Sequence, residues 1–209
     1  MSDKQTIMEQ IDKSVSHCTK CRLYKTAKCG VPGEGNINTE IVFVGEAPGA
    51  TEDATGRPFV GRAGMLLESM LKEIGYKRSD VWIGNIIKHR PPENRDPLPD
   101  EIAACEPYLA AQLKIINPVL VVTLGRFSMN YFYTEGKITR DHGNMLRVNG
   151  YTIYPVYHPA AALRSSAMMA TLKADFMRIP KVLYDARALK VSENRDKMND
   201  QKDQTGLGL

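Results

Sequence analysis

Glu40-Ile41-Val42-Phe43-Val44-Gly45-Glu46-Ala47-Pro48-Gly49 carries an unbroken apolar run, Ile41 to Val44, that stops in a glycine- and proline-bearing turn. A run of that length and composition reads as a strand buried on both faces, the kind found in parallel sheets covered by helices. Downstream, residues 65–74 have helical spacing with Gly75 as a natural stop, and residues 81–87 form a second strand. A proline-rich loop covers residues 90–99, and a helix starts at Pro99 or Asp100 and runs to about Ile116. Residues 118–124 are a third buried strand, followed by a helix through Tyr133. Asn149-Gly150 is a type I′ hairpin signal between strands at 145–148 and 151–156, and the second of these leads into Tyr157-His158-Pro159. A last helix is expected over residues 168–184. Upstream, Ile7, Met8, Ile11 and Val15 mark a helix that leads to Cys18-Thr19-Lys20-Cys21, and residues 30–38 are turn-rich.

Strands alternating with helices predict a three-layer α/β/α sandwich around a mostly parallel sheet. Sites in such sheets lie beyond the carboxyl ends of the strands. The Glu46 turn, Asn85 and His158 all fall there. One domain is expected over residues 1–187, then a disordered polar tail over 188–209.

The 209 residues suffice for one such domain with a sizeable core. The formal net charge of +4 is compatible with a nucleic-acid partner. Met1-Ser2-Asp3-Lys4-Gln5 opens a polar amphipathic stretch, so no leader is expected. No apolar run reaches membrane-spanning length, and a cytoplasmic protein is expected. Disulfides are disfavoured there, so a CxxC points to metal or redox chemistry.

Cys18, Cys21, His89 and Cys105 form a split set of soft ligands. Thiolates with imidazole suit zinc or an iron–sulfur cluster, and the residue types alone leave both open. A thioredoxin-type CxxC would follow a strand, whereas this one follows a helix. Cys29 is a further candidate ligand, with an ordinary loop cysteine as the simpler reading. In the Gly45–Gly49 turn, glycines let backbone amides approach a ligand. Glu52 and Asp53 read either as solvated carboxylates or as site residues. Phe59, inside Gly56-Arg57-Pro58-Phe59-Val60-Gly61, is either core or a platform for a stacked base. Asn85 is either a strand-end cap or a side-by-side donor and acceptor for a base edge. His158 is either packed at a strand end or a donor to a developing oxyanion.

Taken in order, these segments resemble the family 4 uracil-DNA glycosylases, the iron–sulfur branch of their superfamily. The resemblance covers about residues 18–184. It is carried by Cys18-Thr-Lys-Cys-Arg-Leu23, Val44-Gly-Glu-Ala-Pro-Gly49, Glu52-Asp53, Gly56-Arg-Pro-Phe-Val-Gly61 and Asn85-Ile-Ile-Lys88. Arg90-Pro-Pro-Glu-Asn-Arg95, Pro97-Leu-Pro-Asp-Glu101 and His158-Pro-Ala-Ala-Ala-Leu-Arg164 continue it. The resemblance implies a [4Fe-4S] cluster on Cys18, Cys21, His89 and Cys105, with His89 where the family usually has cysteine. It implies a flipped uracil stacked on Phe59, lined by Glu46, Ala47 and Pro48, read at O4/N3 by Asn85 and bonded at O2 by His158. Glu46, Glu52 and Asp53 are the candidates for stabilising the oxocarbenium-like sugar or positioning water, with Glu52 favoured. Leu163 would fill the gap in the duplex and Arg164 would hold a phosphate.

The related glycosylases that trap uracil-DNA covalently also look to have His after this Lys. They carry a GEQPG turn and a basic insertion with a reactive His, whereas this chain has Ala47 and a short loop over 90–99. The expected activity is therefore turnover, the alternative being a non-turnover uracil-DNA binder or trap. The expected substrate is uracil-containing DNA, single- or double-stranded, met by a monomer. Gln204-Thr-Gly-Leu-Gly-Leu209 resembles the short peptides that dock on replication sliding clamps.

Overall fold

The computed structural model describes residues 3–205. Six strands form one sheet: β1 (Glu34–Gly35), β2 (Ile41–Gly45), β3 (Trp82–Asn85), β4 (Leu120–Leu124), β5 (Leu146–Val148) and β6 (Tyr151–Val156). Their order is β1-β3-β2-β4-β6-β5. The central four run parallel, and the two edge strands β1 and β5 run antiparallel. The helices are α1 (Asp3–Ser16), α2 (Ala50–Thr55), α3 (Arg62–Glu73), α4 (Pro99–Ile116), α5 (Arg126–Phe132), α6 (Ile138–Asp141), α7 (Pro159–Ala162) and α8 (Ser166–Thr205).

Side chains alternate across each strand, and that period of two builds two separate cores. Ile41, Phe43, Ile83, Leu120, Val122, Tyr154 and Val156 face α3 and α8 through Leu67, Leu71, Leu172 and Phe176. Val42, Val44, Trp82, Val121 and Ile153 face the other way, toward Met8 of α1, Leu109 and Leu113 of α4 and Phe132 of α5. The three-layer sandwich expected from the sequence is the one observed.

The hairpin register Val148↔Tyr151 leaves Asn149 and Gly150 as the turn, with φ of 48° and 82°. Both positive values are what a type I′ turn demands. β3 and β4 are each two or more residues shorter than expected. β3 ends at Asn85, because Ile86 and Ile87 leave the sheet and donate to the carbonyls of Gly45 and Glu46. β4 begins at Leu120 rather than at Pro118, a residue with no N–H to give a ladder.

Four short elements, β1, α2, α6 and α7, have too few residues to show a period. The larger correction is at the C-terminus. The polar stretch expected to lack structure is helical as far as Thr205, and α8 starts at Ser166. Lys, Glu, Arg and Gln are good helix formers, so a polar run extends a helix already docked. Arg147 pairs with Glu193 and Lys190 bonds the Asn117 carbonyl, which ties that extension to the body. Gly206–Leu209 of the clamp-like peptide lie outside the described residues. Among the described residues, no helix is long and apolar enough to cross a membrane.

Phe59 has a φ of 50°, unusual for a residue with a Cβ. Its backbone lies against Gly64 of α3, where a methyl group would strike the Phe59 carbonyl. Gly64→Ala is therefore expected to lower the melting temperature, at a cost of roughly 1–3 kcal/mol as overpacking typically shows. Thermal unfolding followed by circular dichroism measures it.

Candidate active site

The carboxyl ends of three parallel strands, β2, β3 and β6, meet at one cavity of about 440 Å³. β2 delivers Glu46, Ala47, Pro48 and Gly49; β3 delivers Asn85; β6 delivers His158. Glu52 of α2 and Phe59 of the loop between α2 and α3 close it, and Arg164 lies beyond α7. The candidate base-site residues that lay far apart in sequence are thus gathered around one space.

Gly45 makes this approach feasible. A side chain there would occupy the space taken by the Phe59 ring and Asn85 Oδ1. Asn85 is buried, and its Oδ1 has no hydrogen-bond partner. An unpaired buried acceptor is costly unless a ligand supplies the donor. The Phe59 ring sits 5.8 Å from the His158 ring at a tilt of 31°.

His158 caps α7, and its Nδ1 accepts from the Ala160 N–H at 3.1 Å. A backbone N–H can only donate, so the proton of the neutral ring resides on Nε2. Burial, helped by the nearby Arg164 and opposed by Glu52, pulls the His158 pKa down to about 4. At neutral pH the residue is an uncharged N–H donor. Glu46 moves the other way. Burial and the neighbouring Asp96 raise its pKa to about 7, against the pull of Arg126.

The other two carboxylates fare differently. Glu52 lines the cavity, but its carboxylate is occupied: Oε1 accepts from Val60 and Gly61 at 2.9 and 2.8 Å, and Oε2 from Gly49 at 3.1 Å. Asp53 does not line the cavity. Its Oδ1 accepts from the Lys28 N–H at 2.9 Å, and its carbonyl accepts from the Cys29 thiol. Successive helical residues point about 100° apart, so α2 cannot aim both carboxylates at one site. Leu163 is 37% exposed beside Arg164, whose Nε donates to the Ala160 carbonyl.

Sequence reasoning gave no site role to Pro91, Asn94, Arg95 or Asp96, which form the opposite wall, nor to Arg126, which pairs with Asp96 at 3.3 Å. Their signal was the proline-rich loop that follows Asn85, a loop at a strand's carboxyl end.

Cys18 and Cys105 are buried and Cys21 is half-buried; all three are free thiols. Burial pushes the Cys105 thiol up to about 11, and it also feels Cys21 and Cys18. His89 is buried with its Nδ1 unpartnered, and burial lowers its pKa against the opposing charge of Asp53. Among the described residues, no three His, Cys, Asp or Glu side chains converge as a single metal ion requires. Cys29 is spent on Asp53.

The chain matches the family model "Uracil DNA glycosylase superfamily" over residues 32–179, more than half its length. It is 44% identical to the type-4 uracil-DNA glycosylase of Saccharolobus solfataricus, over 84% of this chain and 86% of that one. It is 47% identical to the type-4 enzyme of Thermotoga maritima, over 79% and 88%. Similarity to the type-5 uracil-DNA glycosylase of Pyrobaculum aerophilum is weaker, at 31% identity over 62% of this chain and 65% of that one.

The His158 geometry has a measurable consequence. Its folded pKa lies below the ordinary value of 6.5, so between 6.5 and about 4 the unfolded chain binds a proton that the folded chain lacks. His158 therefore withdraws stability as pH falls through that window and contributes no pH dependence above it. Imidazole nitrogen NMR should show His158 neutral, with Nε2 protonated, down to about pH 4. A ring that titrates near its ordinary value would overturn the assignment.

Proposed function

The chain belongs to the uracil-DNA glycosylase superfamily, and on that premise we propose that it excises uracil from DNA by hydrolysing the N-glycosidic bond and leaving an abasic site. The observation that carries this reading is the cavity where Phe59, the unpartnered Asn85 Oδ1 and the Nε2–H of neutral His158 meet.

A base inside a duplex cannot reach such a cavity unless it is flipped out of the stack. Phe59 offers the flipped ring a stacking face. Asn85 Oδ1 accepts from uracil N3–H while its amide donates to O4. Cytosine reverses that donor–acceptor order and is rejected. As the N1–C1′ bond breaks, its electron pair leaves with the base and spreads onto O2. His158 donates there from a position fixed beforehand by the Ala160 N–H, which is how preorganised donors lower a barrier. Water adds to C1′ and gives its proton to Glu46, whose pKa of about 7 suits a general base. Glu46 takes this role in preference to Glu52 and Asp53, whose carboxylates are bonded to backbone amides. Leu163 and Arg164, beside the mouth, serve the duplex.

The donor set of Cys18, Cys21, His89 and Cys105 suits an iron–sulfur cluster in its chemistry: three free thiols, with Cys21 and Cys18 near enough for Cys105 to feel their charge, and a buried imidazole with a free nitrogen. When bound, a [4Fe-4S] cluster supplies a covalent cross-link here rather than redox chemistry. The clamp reading of Gln204–Leu209 rests on its sequence alone.

Release of free uracil from a uracil-containing oligonucleotide, with none from its thymine counterpart, tests the activity. A protein–DNA adduct that survives denaturation would favour the trapping alternative instead. Asn85→Ala and His158→Ala are each expected to lower the single-turnover rate by about 10²–10³-fold. The rate should rise with pH through a midpoint near 7, where Glu46 loses its proton, and Glu46→Gln should abolish that limb. Protein purified without oxygen should be brown; His89→Cys should keep the colour and Cys18→Ala should lose it along with stability.

A further inference from the structure

Lys88 has no part in the chemistry above, yet its side chain is fully buried. A buried cation persists only with partners for its hydrogens. Its amine has three: the carbonyl of Pro32 at 3.0 Å, the carbonyl of Asn85 at 3.0 Å and Gln112 Oε1 at 2.8 Å. Gln112 is itself anchored, since its Nε2 donates to the same Pro32 carbonyl at 2.9 Å. The amine also lies 5.8 Å from the centroid of the Trp82 ring.

The bond to Asn85 stands out by its place in the fold. Asn85 is the last residue of β3, and its neighbours Ile86 and Ile87 turn away to bond Gly45 and Glu46. The Asn85 carbonyl therefore faces the interior just past the end of the ladder, closed to water. Lys88, three residues on, folds back and takes it. This fixes the peptide plane from which the Asn85 side chain departs into the cavity. The side chain has no such restraint of its own, because its Oδ1 is unpartnered.

We propose that Lys88 is a positioning residue: its ammonium holds the Asn85 main chain so that the amide presents its acceptor and donor to the uracil edge. The proposal rests on the reading of Asn85 as the residue that recognises uracil. It separates Lys88 from a mere support of the cysteine region, which its backbone N–H reaches through Cys105 Sγ at 3.4 Å.

A double-mutant cycle on the full chain tests it, read out as the single-turnover excision rate at saturating enzyme. Lys88→Met keeps the aliphatic stem and removes the ammonium. Alone it should slow excision by about tenfold or more, within the range for groups that act together. In an Asn85→Ala background the same change should alter the rate by less than about twofold, because the group being positioned is gone. DNA affinity and the visible absorption of the protein should be unchanged by Lys88→Met. Gln112→Leu, which removes one anchor of the ammonium and leaves Lys88 in place, should repeat the pattern at smaller amplitude and decides the matter if Lys88→Met does not fold. Losses that multiply in the double variant would overturn the proposal, as would loss of the visible absorption in step with the rate. An Asn85→Ala variant with the full wild-type rate would overturn the reading of Asn85, and the proposal with it.

Discussion

The Glu52 carboxylate accepts from three backbone N–H groups, those of Gly49, Val60 and Gly61, and the cavity keeps its shape through that clamp. One carboxylate thereby joins the turn after β2 to the loop that carries Phe59, up to Gly61, the residue that caps α3. Bonds from amides to an ionised acceptor are among the stronger ones in a protein. The clamp has strain to offset. A left-handed backbone at Phe59 costs about 1 kcal/mol or more. Arg78 holds the loop from its other side, donating to the carbonyls of Pro58 and Phe59 while pairing with Glu34. With both grips in place, the aromatic ring projects over the space that Gly45 leaves open.

Burial then acts on the ionisable groups in opposite directions with one outcome. It lowers the pKa of His158 and raises that of Glu46, and in each case it disfavours the charged form. The cavity faces a developing negative charge with dipoles rather than with a full positive charge, and the dipole of His158 is already aimed. Charge is kept at the rim, where Asp96 and Arg126 pair close to Glu46 and where Arg164 lies. Asp96 supports the protonated form of Glu46 and Arg126 the ionised form.

The sheet was legible because its physics is local and repeated. Five consecutive buried positions at Ile41–Gly45 and again at Leu120–Leu124, apolar but for Thr123, have few other solutions, and Asn149-Gly150 names its own turn. The site was legible wherever it sits at a strand's carboxyl end, as with Glu46, Asn85 and His158. It was not legible where tertiary contact decides. Glu52 and Asp53 are neighbours in sequence with the same chemistry, yet the short helix α2 sends one to the cavity wall and the other to the loop of Lys28 and Cys29. Asp96, Arg126 and the N–H of Ala160 acquire meaning only once three loops meet. The length of α8 was missed because a polar run reads equally as tail or as helix until Arg147 and Asn117 supply it with partners.

The wall formed by Pro91, Asn94, Arg95 and Asp96 connects the soft-ligand set to the chemistry. It begins at His89 and ends at α4, which carries Cys105. Glu93 and Asn94 both have positive φ, at 55° and 53°, so the wall is bent against its own preference. Arg90 bonds Asn94, and Arg95 grips the buried Glu101 with two bonds at 2.8 and 2.6 Å. A cross-link between His89 and Cys105 would close this same loop. Closing a loop of about 15 residues restricts the unfolded chain by on the order of 3 kcal/mol in the chain-entropy account. The bent wall, which lies against the cavity, needs such support more than the sheet does. A cluster on these residues would hold the two ends of that wall.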